Sequence, residues 1–584
     1  MNKNQIKINK EKIEWDFLPY VRKPARYTGG EVNQIKKDLS SCELTIALCF
    51  PDVYEVGMSN TGVSIIYHIL NNTEKIAAER VFSPDVDAEK ILREKQISLF
   101  SLESKAPLAQ FDVIGFSLSN ELCYTNVLNI LELSGLELRA ENRKEDDPLI
   151  IGGGSMANCC EPIADFFDFF ILGEAETAVT EVSDFLIKQK KQNKTKPQIL
   201  KQITQKFEYC YVPAFYEGDK KIQNAIVEDF ENAPVPEKPI IPFVKAVHER
   251  VSIEIMRGCP RRCLFCQASF CRRPVRFRPP DKILETAKKA YQSTGFDTIS
   301  LLSLSSADYP KLEELTEKLK EYFEPKHVGI SLPSLRVDKQ LKLLPQLVTS
   351  VRKAGLTIAV ETAPEHLRDI INKPLKNEDL FSAVQAAYEA GWEKLKLYFI
   401  AGLPGETLED VKEIVRLSFE LAKLRKKTNG KTANINATIS WFVPKPHTPL
   451  SWVAQKPQSY FEQAKKLIIQ EKNRLNAKFL NFKFHYIERS VLESAIGRGD
   501  KNFSYIIESA FEKGARFDLW NEHFDYQMWE NAFEEHGLSM QDCAAREFDT
   551  EQTLPWEHLG GPEKEYLLKY YRTAIEKTGN YEKP

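Results

Sequence analysis

No uninterrupted apolar run in this 584-residue sequence approaches the roughly 18 residues of a membrane-crossing helix, so no membrane partner is expected. The opening stretch MNKNQIKINKEKIEWDF is polar and lysine-rich and lacks an apolar centre, so no secretory signal is expected and the reading is cytoplasmic. Charge of one sign is missing too. The 80 Lys and Arg against 83 Asp and Glu leave a net −3, which removes any global attraction to nucleic acid. The 11 cysteines are an odd number, mostly scattered through apolar segments, which argues against a disulfide framework. No repeat of fixed solenoid period is present. What is there, 42% hydrophobic and 28% charged residues, is an ordinary globular composition, and the length asks for about three or four domains rather than one core.

After a polar leader (1–42), ELTIALCF (Glu43 to Phe50) reads as a buried strand, followed by a loop with Gly57 and Gly62 and an apolar helical run. The same grammar recurs at FDVIGFSLS (Phe111 to Ser119), PLIIGGGS (Pro148 to Ser155) and FDFFILGEAE (Phe167 to Glu176). Strands alternating with helices indicate parallel βαβ units, which bind ligands at the carboxyl ends of their strands. Residues 191–245 turn lysine-rich and then proline-rich (NAPVPEKPIIPF), the composition of a linker. A second alternating series spans 246–452, with strands expected at 251–256, 298–304, 328–333, 357–363, 394–400 and 434–443. A mixed segment follows from 453 to 584. The expected fold class is therefore α/β: a Rossmann-like parallel-sheet domain (43–190), a partial (β/α)6 barrel, and a smaller mixed α/β C-terminal domain.

The chemistry concentrates in Cys259-Pro260-Arg261-Arg262-Cys263-Leu264-Phe265-Cys266, directly after the first strand of the second series. Three thiolates in one short loop can ligate three irons of a cubane and leave the fourth iron open to a ligand. Structural zinc usually takes four ligands, often as two C-x2-C pairs, and no second pair lies nearby. Cys271 is the one candidate for a fourth ligand. The segment resembles the radical S-adenosylmethionine (SAM) superfamily in its spacing, its preceding strand and its aromatic Phe265. That resemblance implies a [4Fe-4S] cluster on Cys259, Cys263 and Cys266, with SAM bound through its amino and carboxylate groups to the open iron. It also implies reductive cleavage to methionine and a 5′-deoxyadenosyl radical, with electrons from a donor such as flavodoxin or ferredoxin.

Polar residues at barrel strand ends are candidate SAM contacts: Ser303, Ser305, Ser331, Arg336 and Glu361, each with helix capping or a solvated loop as its alternative. LKLYFIAGLPGET resembles the fifth-strand segment of these enzymes, which would set Ile400 and Gly402 against adenine, and Phe265 belongs to the same group. Further upstream, GGGS…EPIADFFDFFILGEAE resembles the cobalamin-binding domain often found before such a barrel. Its candidate contacts are Asn60, Thr61, Ser117, Ser119, Gly152, Gly153, Gly154, Gly173 and Glu174. One departure is plain. Cobalamin domains with a histidine lower ligand carry Asp-x-His-x-x-Gly after the first strand, whereas this loop reads VYEVGMSNTG, so a bound cobalt would lack a histidine ligand.

Arg257, Arg261, Arg262, Arg272, Arg273, Arg276 and Arg278 crowd the cysteine loop. They fit a phosphate-bearing or RNA substrate, an acidic electron donor, or internal salt bridges. WFVPKPHTPLSW and ERSVLESAIGRGDK resemble an uncharacterised branch of cobalamin-type radical SAM proteins. His447 in the first of these is a candidate catalytic group, with a plain proline-flanked turn as its alternative. The resulting expectation is a SAM-cleaving enzyme of unnamed substrate, with cobalamin-dependent methyl transfer or methylthiolation among its outcomes. A non-catalytic iron-sulfur or cobalamin sensor, or a zinc-stabilised RNA-binding protein, are the rivals.

Overall fold

The computed structural model describes residues 10–218, 220–332 and 356–581. Arg336 lies outside them. Strands β1 (Leu44–Phe50), β2 (Ile76–Phe82), β3 (Val113–Ser117), β4 (Leu149–Gly153), β5 (Phe169–Ile171) and β6 (Cys210–Tyr211) form one sheet in the order β2-β1-β3-β4-β5-β6. The first five are parallel and β6 is antiparallel. Both faces are buried, which is why β1 (LTIALCF) is apolar at every position but Thr45, whose hydroxyl donates to Asp112. Helices Thr61–Asn71 and Ala175–Lys191 pack together against one face, where Leu70, Val182 and Phe185 meet Ile46 and Ile151. The order β2-β1-β3 reverses direction between β1 and β3. The carboxyl ends of those strands are thus the topological switch point, where open parallel sheets place their ligands.

β7 (Val251–Glu254) starts the second unit. A short antiparallel ribbon of β8 (Met256–Arg257) and β9 (Arg276–Phe277) carries the cysteine loop as its excursion. β10 (Thr298–Leu302) and β11 (Gly329–Ser331) extend the arc from β7, and β12 (Leu356–Glu361), β13 (Lys394–Ala401), β14 (Asn434–Trp441) and β15 (Leu480–Phe484) form a second parallel arc. The parallel sheet therefore continues past residue 452. In β13, KLKLYFIA, the odd positions Leu395, Leu397 and Phe399 are buried under helices while Lys394 and Lys396 are exposed. This period-2 pattern marks an outer face under helices and a less buried inner face that carries Lys394, Lys396, Tyr398 and Ile400.

The C-terminal segment clamps the two units together. Helix Phe503–Glu512 packs on helix Tyr124–Leu133 and on the turn Glu161–Phe166 of the first unit. Asp518 accepts from Thr125 (2.8 Å), and Lys445 is held by Glu121 and Glu493, each at 2.5 Å. Among the described residues no helix is long and apolar enough to cross a membrane.

Candidate functional site

The cysteine loop is fastened at many points. Gly258 sits at φ +84°, and a β-carbon there would meet the carbonyl oxygens of Arg272 and Pro274 at 2.6 and 2.8 Å, so the loop's own return arm demands glycine. The Leu264 N–H donates to the Ile371 carbonyl (3.0 Å), and Arg261 grips Asp308 through Nε (2.9 Å) and Nη2 (2.6 Å). Leu264 and Phe270 are buried among Leu367, Leu403, Phe442 and Trp452, with Phe265 and Ile400 packed on the same cluster. Cys259 and Cys263 are buried and Cys266 is half-buried, and none of the eleven cysteines is in a disulfide. Among the described residues no three His, Cys, Asp or Glu side chains gather around a single-ion position. A cubane held by three thiolates, each on a different iron with the fourth iron open, does not ask for such a position.

A cavity of about 570 Å³ opens between this loop and the first sheet. Its floor is made by Leu48, Gly115, Ser117, Ile151, Gly153 and Ile171 with Thr61, Ile65 and Val179. Its roof is made by Glu254, Met256, Arg257, Gly258, Arg272 and Ser303. The carboxyl ends of two parallel sheets thus face one another across a space of ordinary ligand-binding size. No lining residue is a histidine.

The glycines of the floor differ in why they are glycine. A β-carbon at Gly152 would strike the Phe170 ring at 2.3 Å, and at Gly154 and Gly173, both at positive φ, it would strike the carbonyls of Leu118 and Ala225 at 2.6 and 2.4 Å. Packing explains those three. At Gly153 the nearest atom is Ile171 O at 3.8 Å, and at Gly115 it is Ile46 Cγ2 at 4.0 Å. Protein packing leaves both of these positions room for a side chain, and both line the cavity, so their smallness keeps the cavity open. Gly115 was absent from the sequence-based set, although a glycine inside the strand VIGFS signals close approach by another group.

The acids and arginines of the roof are matched to one another. Arg257 binds Glu176 (2.5 Å), Glu254 (2.7 Å) and Glu174 (3.3 Å), and Glu174 also accepts from Arg276 and from the Val227 N–H (2.7 Å). Burial pushes the Glu174 carboxyl up, but the hydrogen bonds from Arg276 and Val227 and the charge of Arg257 outweigh it and hold the carboxyl below its usual range. Glu174 lines the cavity as a locked ion-pair member. Arg278 donates to the Glu254, Glu231 and Ala233 carbonyls, and Arg273 to those of Ser269 and Arg261. Arg262 lies over Tyr566 and Tyr570. The arginine cluster is thus largely consumed by internal contacts, the salt-bridge alternative of the sequence analysis.

Of the remaining cobalamin candidates, Thr61 and Ser117 line the cavity, Asn60 caps helix Thr61–Asn71 by accepting from the Val63 N–H (3.0 Å), and Ser119 is exposed and away from the lining. Of the SAM candidates, Ser303 lines the cavity and Ser305 Oγ donates to Asp308 (2.8 Å). Ser331 pairs in register with Ser300. Glu361, at φ +70° beside a strand irregularity, is held by Lys373 at 2.5 Å. Gly402 is required by Phe461, whose ring lies 2.4 Å from the β-carbon position. The loop thus brings Phe265 and Ile400 together, and the cavity brings Ser303 together with Thr61, Ser117 and Gly153. Ser305, Ser331, Glu361 and Gly402 stand outside its lining.

His447 is buried at φ +56°, with Nε2 2.7 Å from the Asn158 carbonyl, to which it must donate. Burial lowers its pKa to about 4, so it is neutral near pH 7. It borders a separate cleft with Lys221, Trp556 and His558, not the cavity under the cysteine loop. His68 accepts from Asn72 (3.0 Å) and is likewise not among the residues of the cavity lining.

Two family models match the chain: radical SAM proteins, N-terminal, over residues 62–213, and the radical SAM superfamily over 253–418. Together they cover more than half of it. An uncharacterized protein of Methanocaldococcus jannaschii is 26% identical over 496 residues, 83% of this chain and 98% of that protein. The ribosomal protein uS12 methylthiotransferase RimO of Salinispora arenicola is 28% identical over 214 residues, 33% of this chain and 40% of that protein. The structure of TsrM from Kitasatospora setae, a radical S-adenosylmethionine methyltransferase with cobalamin and a [4Fe-4S] cluster bound, superposes with a TM-score of 0.51. It is 12% identical, covering 84% of this chain and 99% of that one, a likeness of fold.

Proposed function

Because the chain belongs to the radical SAM superfamily, we propose that it cleaves SAM reductively at a [4Fe-4S] cluster held by Cys259, Cys263 and Cys266, and that a corrinoid in the adjoining cavity carries a methyl group to the substrate. The observation that carries this reading is the cavity itself. One wall is the cysteine loop and the barrel strand ends, and the other is a parallel-sheet switch point whose Gly115 and Gly153 are kept small for no packing reason.

The residues present fit both groups. Three cysteines in one fastened loop suit a cubane with one open iron. The apolar floor of Leu48, Ile65, Ile151, Ile171 and Val179 suits a large flat ligand, with the Thr61 and Ser117 hydroxyls at its rim and no histidine to reach a cobalt. When bound, the cluster supplies the electron that breaks a carbon–sulfur bond of SAM, and the corrinoid supplies a methyl carrier. The chain's part is positional. The Arg257 and Arg276 ion pairs with Glu174, which follows β5, hold the roof against the floor. The methylthiotransferase relative supports sulfur-containing methyl transfer as a second product class.

The test is anaerobic reconstitution with iron, sulfide and hydroxocobalamin. A brown protein that retains corrinoid with a base-off spectrum, and that releases 5′-deoxyadenosine from SAM on reduction, supports the reading. A protein that cleaves SAM but holds no corrinoid removes the methyl-carrier half.

A further inference from the structure

On the far side of the first turn of helix Thr61–Asn71 lies a second, smaller pocket of about 80 Å³, closed by the chain that enters β7. Ser59, Asn60, Thr61, Ser64, His248, Arg250 and Ser252 are in its wall, and Thr61 belongs to the wall of the large cavity as well. Arg250 is the unusual member. It has no hydrogen bond or ion pair with any described residue, and its Nε is buried without an acceptor. Burial pushes its pKa down with no acid acting to restore it. The other arginine in the wall, Arg80, is in a different state. It is bound by Glu31 at 2.8 Å and Glu103 at 2.6 Å, so those carboxylates are already matched.

A half-buried guanidinium without a counter-charge is costly unless an anion completes it, and its fork geometry suits two oxygens of a phosphate. Ser64 and Ser252 line the same wall and bring hydroxyl-bearing side chains to it. The His248 ring, whose pKa burial lowers, adds a second nitrogen donor without a second fixed charge. The pocket volume admits one oxyanion and little more.

We propose that the Arg250 pocket is a phosphate subsite. It takes either the phosphodiester of the nucleotide tail of a corrinoid seated in the large cavity, which rests on the reading above, or the phosphate of a separate ligand entering from the linker side. The shared Thr61 wall makes the first source the nearer one.

The experiment is equilibrium binding, under anaerobic conditions, of cobalamin, of cobinamide (the same ring without the nucleotide and its phosphate) and of inorganic phosphate. The proteins are the wild type, Arg250→Gln and Arg250→Lys. If the tail is the source, Arg250→Gln weakens cobalamin at least tenfold and leaves cobinamide unchanged, and Arg250→Lys falls between. If a separate phosphate is the source, both corrinoids are unaffected and the wild type binds phosphate at least tenfold more tightly than Arg250→Gln. Cobalamin and phosphate affinities that agree within twofold across all three proteins would overturn the subsite. Should Arg250→Gln fail to match the wild-type melting temperature, Arg250→Lys decides: a loss of cobalamin or phosphate affinity beyond twofold, with cobinamide unchanged, keeps the subsite, and a smaller change overturns it. Absence of all corrinoid binding in the wild type counts against the cavity reading, and the phosphate arm then decides this one alone.

Discussion

Replacing Gly153 by valine separates a ligand cavity from a packing accident. At this position the new β-carbon meets only Ile171 O at 3.8 Å, an ordinary contact, and the residue ends strand β4, where a β-branched side chain is at home. Removing a strand glycine recovers roughly 0.5–1 kcal/mol of chain entropy, which offsets the modest cost of apolar surface facing an empty cavity. The variant is therefore expected to keep its stability within about 1 kcal/mol. Its side chain, however, occupies the floor against which the corrinoid ring would lie. A lost close approach on that scale corresponds to a weakening of at least about 100-fold, or roughly 2.8 kcal/mol. Gly152→Ala is the internal control with the opposite signature. Its methyl collides with the Phe170 ring at 2.3 Å, so it destabilises by about 1–3 kcal/mol. Denaturant midpoints and corrinoid binding by absorbance measure both. A Gly153→Val protein that folds normally and binds corrinoid with wild-type affinity refutes the assignment of the floor.

Cys259→Ala, Cys263→Ala and Cys266→Ala each abolish cluster loading, whereas Cys271→Ala leaves iron and sulfide near wild-type levels, as analysis of the reconstituted proteins will show. Arg257→Met leaves Glu176 and Glu254 without their ion-pair partner and costs about 3–5 kcal/mol, read as a lower denaturant midpoint with faster proteolysis between the two units. His447, with a folded pKa of about 4 against 6.5 for the free group, takes up its proton more readily when unfolded. Stability therefore rises with pH from about 4 to 6.5, and a contribution of about 3 kcal/mol is present above that window and lost as pH falls through it. His447→Asn, which tolerates the positive φ, flattens this part of the melting-temperature profile in the cluster-free protein.

Strands of mainly apolar residues with no charge were legible from the residues: LTIALCF, VIGFS and LIIGG stand where the pattern put them. β2 was not among them, because its sequence IAAERVF carries Glu79 and Arg80 in the middle. Both are buried, Arg80 against Glu31 and Glu103 and Glu79 against Ser101 and Ser104, partners that only the tertiary fold supplies. β15, with its alternating asparagine and lysine, likewise gave no sign that it continues the parallel arc beyond β14. The same limit governs the site. Their spacing, the preceding strand and Phe265 together marked the three cysteines as candidates. The arginines beside them could not be sorted from sequence, since of the acids that claim them only Glu254 is a near neighbour, while Glu174, Glu176 and Asp308 lie tens of residues away. The glycine turns were legible as turns, but only the neighbours of each β-carbon position tell Gly153 and Gly115, which shape the cavity, from Gly152, Gly154 and Gly173, which serve packing.

A cluster on the loop of Cys259, Cys263 and Cys266 that opens SAM is tested most directly by reducing the anaerobically reconstituted protein in the presence of SAM and quantifying 5′-deoxyadenosine and methionine by chromatography, beside the Cys263→Ala variant. Equal amounts of the two products from the wild type, and none from the variant, are the predicted result. A wild-type protein with a full iron and sulfide content that leaves SAM intact under reduction would contradict it.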